Sequence, residues 1–233
     1  MSKIRIGKMV LGVCQTNTYF VYREQDETVC KDGNAEACAD GTDSGKAWKE
    51  TIVIDPADYG TKIYDALQRN GFKVKVVLLT HGHFDHIWGC EELVKAVGED
   101  VKIYACAAEQ ELLEDAGKNV SAQAGRPCTV KADVFVKDGD IIEEAGMLCK
   151  VIATPGHTAG GCCYYFEEAD LLVSGDTLFQ ESVGRTDLPT GSMGTLVRSI
   201  REKLLVLPEN TQVYPGHGDS TTIDYEKKYN PFL

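Results

Sequence analysis

The chain contains five histidines, and each stands beside a glycine or an aspartate in a short motif suited to metal ligation. His81, His83 and His86 fall in Thr-His-Gly-His-Phe-Asp-His, His157 in Thr-Pro-Gly-His-Thr and His217 in Tyr-Pro-Gly-His-Gly. Asp85 lies inside the first motif and Asp176 in Ser-Gly-Asp-Thr. Neutral imidazole and carboxylate suit zinc and other divalent first-row ions, and a carboxylate can span two ions because it has two oxygens. Seven such ligands are too many for one ion. His81 and His83, two apart on an extended segment, can project to the same side and share an ion. Asp85 and His86 follow where the chain changes direction, so they can reach a second site. Asp176 is the natural bridge, with His157 completing the first site and His217 the second. The expected cofactors are two divalent ions, zinc first, with iron or manganese as substitutes.

Such ligands need elements that bring them to one place, and the apolar patterning supplies them. Strand-like runs at 4–8 and 18–23 are followed by a polar excursion at 24–50 that contains Cys30, Cys38 and Trp48, and strand character resumes at 51–55. The excursion reads as a solvated insertion between two strands that a tight turn could otherwise join. The spacing of Ile63, Ala66 and Leu67 predicts a short helix ending near Gly71. The nearly continuous apolar run at 74–80 reads as a strand covered on both faces, and it leads directly into His81. Helical composition at 91–97 and 108–116 flanks a strand at 101–106. Strands at 148–153, 171–173 and 212–214 then precede His157, Asp176 and His217. Four apolar runs thus deliver ligands just past their C-terminal ends, where Gly82, Gly156, Gly175 and Gly216 permit the turns. A helix at about 194–207 carries the apolar stripe Leu196, Ile200, Leu204 and Leu207, and Pro208 ends it.

Composition narrows the functional classes. At 233 residues and 43% hydrophobic, the chain can bury a substantial core, and one α/β domain is favoured over two small ones. A balance of 24 Lys plus Arg against 36 Asp plus Glu gives a net charge of -12, which repels nucleic-acid phosphates and anionic membrane surfaces. No segment approaches the roughly 18 to 20 apolar residues of a membrane-spanning helix, and residues 1–10 do not read as a signal peptide. Nine cysteines, scattered mostly in apolar runs without a Cys-x-x-Cys pair, fit a reducing compartment. The expectation is a cytoplasmic protein, with a Cys30–Cys38 bond or metal site as the exception to unpaired thiols.

The pattern HxHxDH, followed by a separated His, Asp and His, resembles the metallo-β-lactamase-fold hydrolase superfamily over nearly the whole chain. Within it the sequence is most similar to the glyoxalase II-like (hydroxyacylglutathione hydrolase-like) enzymes, in particular a compact bacterial branch without the C-terminal helical domain. Residues 80–86, 154–160, 174–177, 184–187 and 213–218 carry the likeness, with the ending Asn-Pro-Phe-Leu. The resemblance implies an α/β four-layer αββα sandwich over residues 1–233, with the metals at one edge between the sheets. It implies His81, His83 and His157 on one metal, Asp85, His86 and His217 on the other, and Asp176 bridging, the same division that spacing gives. Asp55 resembles the family's aspartate that supports the ligand loop.

The implied reaction is attack of a metal-bridging hydroxide on the carbonyl of a small thioester, with Asp85 as a residue that could orient the hydroxide. Sixteen residues follow His217, too few for the helical domain that binds glutathione in longer relatives, so the thiol carrier stays open. Arg185 could meet a substrate carboxylate through its planar fork or pair with Asp187. The main rival is a persulfide dioxygenase holding one iron by His81, His157 and Asp176. A lactonase or β-lactamase would share the hydroxide, and a non-catalytic binding module would need no complete ligand set.

Overall fold

The computed structural model describes residues 3–24, 48–98 and 100–233. The apolar runs form two six-stranded sheets. The first is β1 (Lys3–Leu11), β2 (Thr16–Glu24), β3 (Lys49–Ile54), β4 (Phe72–Leu78), β5 (Lys102–Cys106) and β6 (Val134–Val136), neighbours in that order. Its first three strands are antiparallel and the rest parallel. The second contains β7 (Ile141–Glu144), β8 (Met147–Ala153), β9 (Cys162–Phe166), β10 (Leu171–Gly175), β13 (Gln212–Pro215) and β14 (Thr221–Thr222), ordered β14-β13-β10-β9-β8-β7. A small hairpin of β11 (Leu178–Phe179) and β12 (Ser182–Val183) stands apart from both.

Helices cover the outer faces. Against the first sheet lie α1 (Gly60–Arg69) and α3 (Cys90–Val97), whose Ile63, Leu67 and Leu93 pack with Val53, Val77 and Leu79. Against the second lies α5 (Met193–Ser199), continued by a π-helical turn over Ile200–Leu204, so that Leu196, Ile200 and Leu204 meet Ile152, Tyr165 and Leu172. Between the sheets, Val21, Ile52, Val76 and Leu78 face Met147, Cys149, Val151 and Val173. Each of the buried Val, Ile, Leu and Met side chains among these contributes about 1.5–3 kcal/mol relative to exposure. The result is the αββα sandwich, and β4 touches both the inter-sheet core and the helix-covered core, as its nearly continuous apolar run requires.

Three elements differ from the sequence-based expectation, the first being the helix expected to run to Leu207 and end at Pro208, which stops at Leu204 after a π-helical turn. The helix expected at 108–116 shortens to a 3-10 turn, Ala107–Glu109, and α4 (Gln110–Leu113). Asp115 ends it by accepting the backbone N–H groups of Gly117 and Lys118, a local alternative to helix continuation. Conversely Asp85 and His86, expected at a change of chain direction, sit on a four-residue helix, α2 (Phe84–Ile87). The polar excursion does link antiparallel neighbours, with Tyr22 of β2 opposite Thr51 of β3. Its residues 25–47, including Cys30 and Cys38, lie outside the described residues. Among the described residues the cysteines are free, and Cys90, Cys106, Cys149, Cys162 and Cys163 are buried, in keeping with use as small hydrophobes. No helix among the described residues is long and apolar enough to cross a membrane.

Candidate metal centre

The seven residues singled out by the sequence meet at one edge of the sandwich, each just beyond a strand or on the short helix that follows one. Ligand atoms of His81, His83 and His157 lie within 4.8 Å of one another, as do those of Asp85, His86 and His217. Asp176 stands between the two groups. Its Oδ2 is 3.5 Å from Nε2 of His157 and 3.5 Å from Nε2 of His217, while Oδ1 is 3.3 Å from Nε2 of His86.

The imidazoles are aimed by bonds made on their far sides. His157 Nδ1 donates to the Arg185 carbonyl at 2.7 Å, and His217 Nδ1 to the Cys14 carbonyl at 3.2 Å. His86 Nδ1 meets Asp55 Oδ2 at 2.9 Å. The Thr80 hydroxyl gives its proton to Asp55 Oδ2 at 2.6 Å, so toward His81 Nδ1, 3.1 Å away, its oxygen accepts. In each of these four rings Nδ1 is engaged outward, which turns Nε2 toward the centre. His83 instead turns Nδ1 inward, 2.9 Å from His157 Nε2. Both Asp55 oxygens are thus engaged by donors: it also accepts the Thr80 backbone N–H at 2.8 Å, and it is buried. Asp55 thus braces His86 and the turn at Thr80, and Asp55, His81 and His86 also cluster closely enough to resemble a ligand group.

A cation fits this arrangement. The bare Nε2 atoms of His81 and His157 face each other at 3.2 Å, an arrangement of two lone pairs that a cation would turn from repulsive to attractive. Nε2 of His86 and Oδ1 of Asp176 are buried without hydrogen-bond partners, a costly condition in an interior unless another group serves them. The glycines beside the ligands have two separate reasons. Gly156 and Gly175 adopt positive φ, at 139° and 50°. Gly216 leaves space, since a Cβ there would come within 2.1 Å of Asp176 Oδ1.

The two groups differ electrostatically. Burial, reinforced by the neighbouring His86 and His157, pushes His81 well below the usual imidazole range, and burial beside His157 lowers His83 to about 3. Burial would also lower His86, but Asp85, Asp176 and Asp55 outweigh it and hold that ring well above its ordinary value. His217 follows the same logic: burial opposes its charge, yet hydrogen bonds to Asp176 and Asp85 raise it to about 9. For Asp85, burial favours the neutral acid, but His86 and His217 hold it down at about 2. Asp176 is likewise kept well below the carboxylate range, with His86 and His217 overcoming its burial.

A pH prediction follows with a definite sign. A cation entering the Asp85, His86 and His217 group at pH 7 must displace the proton that His86, held well above the imidazole range, carries and the proton on His217, raised to about 9. Affinity there should rise by about tenfold per pH unit for each proton displaced until the pH passes that value. The His81, His83 and His157 group should gain nothing from the lowered His83, already unprotonated above about 3. Zinc titrations of the metal-free protein across this range, with proton release measured in parallel, test the difference; equal pH slopes for both groups would contradict it.

The centre is accessible from one side. The side chains of His86 and His157 are 0% and 4% exposed, whereas that of His217 is 30% exposed. The centre is thus most open at His217, beside Cys14 and the Phe179 ring, whose centroid is 6.3 Å from that of His217. Arg185 reaches the centre only through its backbone carbonyl. Its guanidinium forms a bidentate, exposed pair with Asp187, at 2.7 Å for both bonds, which is the second of the two uses its sequence context allowed.

Sequence reasoning did not single out several residues that hold the ligands. The Thr16 hydroxyl donates to Asp85 Oδ2 at 2.8 Å. Asn17 and Tyr19 from the first sheet donate to the Pro215 carbonyl, and Tyr164 from the second sheet donates to the Leu79 carbonyl, so each sheet grips the other's ligand strand. Glu109 is buried against two ligand loops. Its position three and four residues before Leu112 and Leu113, on their apolar stripe, was the available signal.

Comparison with known proteins agrees with this geometry. The family model for the Metallo-beta-lactamase superfamily matches residues 48–217. A probable metallo-hydrolase of Bacillus subtilis, YqgX, is 39% identical over 186 residues, covering 79% of this chain and 87% of its own length. The hydroxyacylglutathione hydrolase GloC of Haemophilus influenzae is 34% identical over 191 residues, 79% of this chain and 88% of GloC. Among solved structures, the BLEG-1 B3 metallo-beta-lactamase superposes with a TM-score of 0.83 at 34% identity, covering 98% of this chain and 99% of that one. TTHA1623, solved in a di-iron-bound form, superposes with a TM-score of 0.76 at 31% identity over 97% and 100% of the two chains.

Proposed function

Since the chain belongs to the metallo-beta-lactamase superfamily, we propose that it is a two-ion metallohydrolase whose substrates are small thioesters. The observation that carries this reading is the position of Asp176 Oδ2, 3.5 Å from a ring nitrogen of each histidine group. His81, His83 and His157 would hold one ion, Asp85, His86 and His217 the other, and Asp176 both. Ions bound there would draw the pKa of a shared water toward neutrality and polarise the substrate carbonyl.

The residues themselves favour a thiol leaving group. Asp85 is held ionised, at about 2, and Asp176 lies well below the carboxylate range, so neither is an acid for the leaving group at neutral pH. A thiol has a reference pKa of about 8.5 and can depart as thiolate, whereas an amide nitrogen needs a proton. Asp85, anchored by Thr16, acts as an acceptor that orients the attacking water. His81, His83 and His86 are buried, so bulk water reaches the ligand set only from the His217 side. The 34% identity to GloC supports the same substrate class.

Hydrolysis of β-lactams is the second reading, favoured by the 34% identity to BLEG-1. One experiment addresses both: elemental analysis of protein purified without added metal, then assay of S-lactoyl thioesters, lactones and β-lactams on that same preparation. The expected result is two ions per chain, zinc, iron or manganese, with thioesters cleaved fastest. A preference for β-lactams would move the assignment to the second reading. One iron per chain with oxygen uptake on glutathione persulfide would overturn both.

A further inference from the structure

Glu109 is 1% exposed, and its recorded hydrogen-bond partners are two backbone N–H groups and one hydroxyl. Its Oε1 accepts from Gly82, the residue between His81 and His83, at 2.9 Å. Its Oε2 accepts from the hydroxyl of Thr158 at 3.0 Å and from the N–H of Gly160 at 2.7 Å, both on the loop that carries His157. One loop follows β4 of the first sheet and the other β8 of the second, so a single carboxylate joins segments from opposite sheets. The approach is close: a Cβ on Gly160 would lie 2.2 Å from the Glu109 backbone nitrogen. Burial raises this acid to about 7 despite the three donors, so its ionised form is held at a cost that a purely space-filling residue would not incur.

We infer that Glu109 is a positioning residue for one of the two ion sites only, setting the spacing of His81 and His83 against His157. The other group has its own supports, Asp55 on His86, the Cys14 carbonyl on His217 and Thr16 on Asp85, none of which touches Glu109. Glu109→Gln keeps the shape but turns an amide N–H₂ toward donors, so one loop loses its acceptor. The inference rests on the two-ion reading above, and its test separates the two.

Zinc affinity should be measured on Glu109→Gln in two backgrounds. His217→Ala leaves the His81, His83 and His157 group, and there Glu109→Gln should weaken zinc binding by about 10- to 100-fold. His83→Ala leaves the Asp85, His86 and His217 group, and there the same change should leave affinity within twofold. Equal weakening in both backgrounds, or none in either, overturns the inference. Wild-type protein that binds no zinc would instead overturn the two-ion reading. Thr158→Val, which deletes one donor and leaves the carboxylate in place, should show the same selectivity at smaller amplitude and decides the matter if Glu109→Gln does not fold.

Discussion

Asp176→Asn is expected to lower kcat/KM for the best substrate on the order of 10³-fold or more. The substitution preserves volume and removes the charge that faces both histidine groups, with Oδ2 3.5 Å from His157 and from His217. An amide can still offer one oxygen to one ion, but it cannot neutralise two, and its N–H₂ would face bare or cationic partners. His86 and His217 should also lose part of the upward pull on their pKa values, since Asp176 contributes to both. Metal analysis of the variant separates the two ways of losing rate. If both ions are retained and kcat/KM falls less than tenfold, Asp176 does not bridge, and the division of the ligands into two sets around it is wrong.

The second large effect is expected at Asp55, which touches no substrate. Asp55→Ala strands the Thr80 backbone N–H, the Thr80 hydroxyl and Nδ1 of His86, all of which now end on that buried carboxylate. Removing one partner of a buried, hydrogen-bonded ion pair costs about 3–5 kcal/mol. For a chain of this size that corresponds to a drop in Tm of roughly 10 °C in the metal-free protein. With His86 free to rotate, zinc affinity at its group should fall about 10- to 100-fold. Thermal unfolding with and without zinc, alongside a zinc titration, reads both numbers. Asp55→Asn is the informative companion. Asp55 has φ 50°, a conformation asparagine tolerates and alanine resists. The asparagine variant should recover part of the stability and little of the affinity; full recovery of both would show that backbone conformation, and not the carboxylate, is what Asp55 supplies.

Much of this centre could be read from the sequence because its chemistry is concentrated in local motifs. The apolar runs ending at β4, β8, β10 and β13 each stop one to four residues before a ligand, and strand and turn preferences are set by near neighbours. The stripe on Leu196, Ile200 and Leu204 was legible for the same reason. Glu109 was weakly signalled, because a glutamate in Glu-Gln-Glu within a segment of helical composition has the chemistry of an exposed position, and the approach of Gly82 and Gly160 from two sheets is what buries it. Arg185 shows the converse. Its charge drew attention, while the group that serves the centre is the carbonyl, which every residue possesses.

The sequence by itself determined which side chains could ligate, that they exceed the needs of one ion, and which strands deliver them. Those properties follow from side-chain chemistry and from periodicities that span a few residues. Only the tertiary structure decided which nitrogen of each imidazole faces inward, since the bonds that settle it join residues as far apart as His217 and Cys14, 203 positions away. It also decided the electrical asymmetry of the two groups. Three carboxylates surround His86 and none is hydrogen-bonded to His83, a difference created by packing two sheets together and invisible in the spacing of either motif.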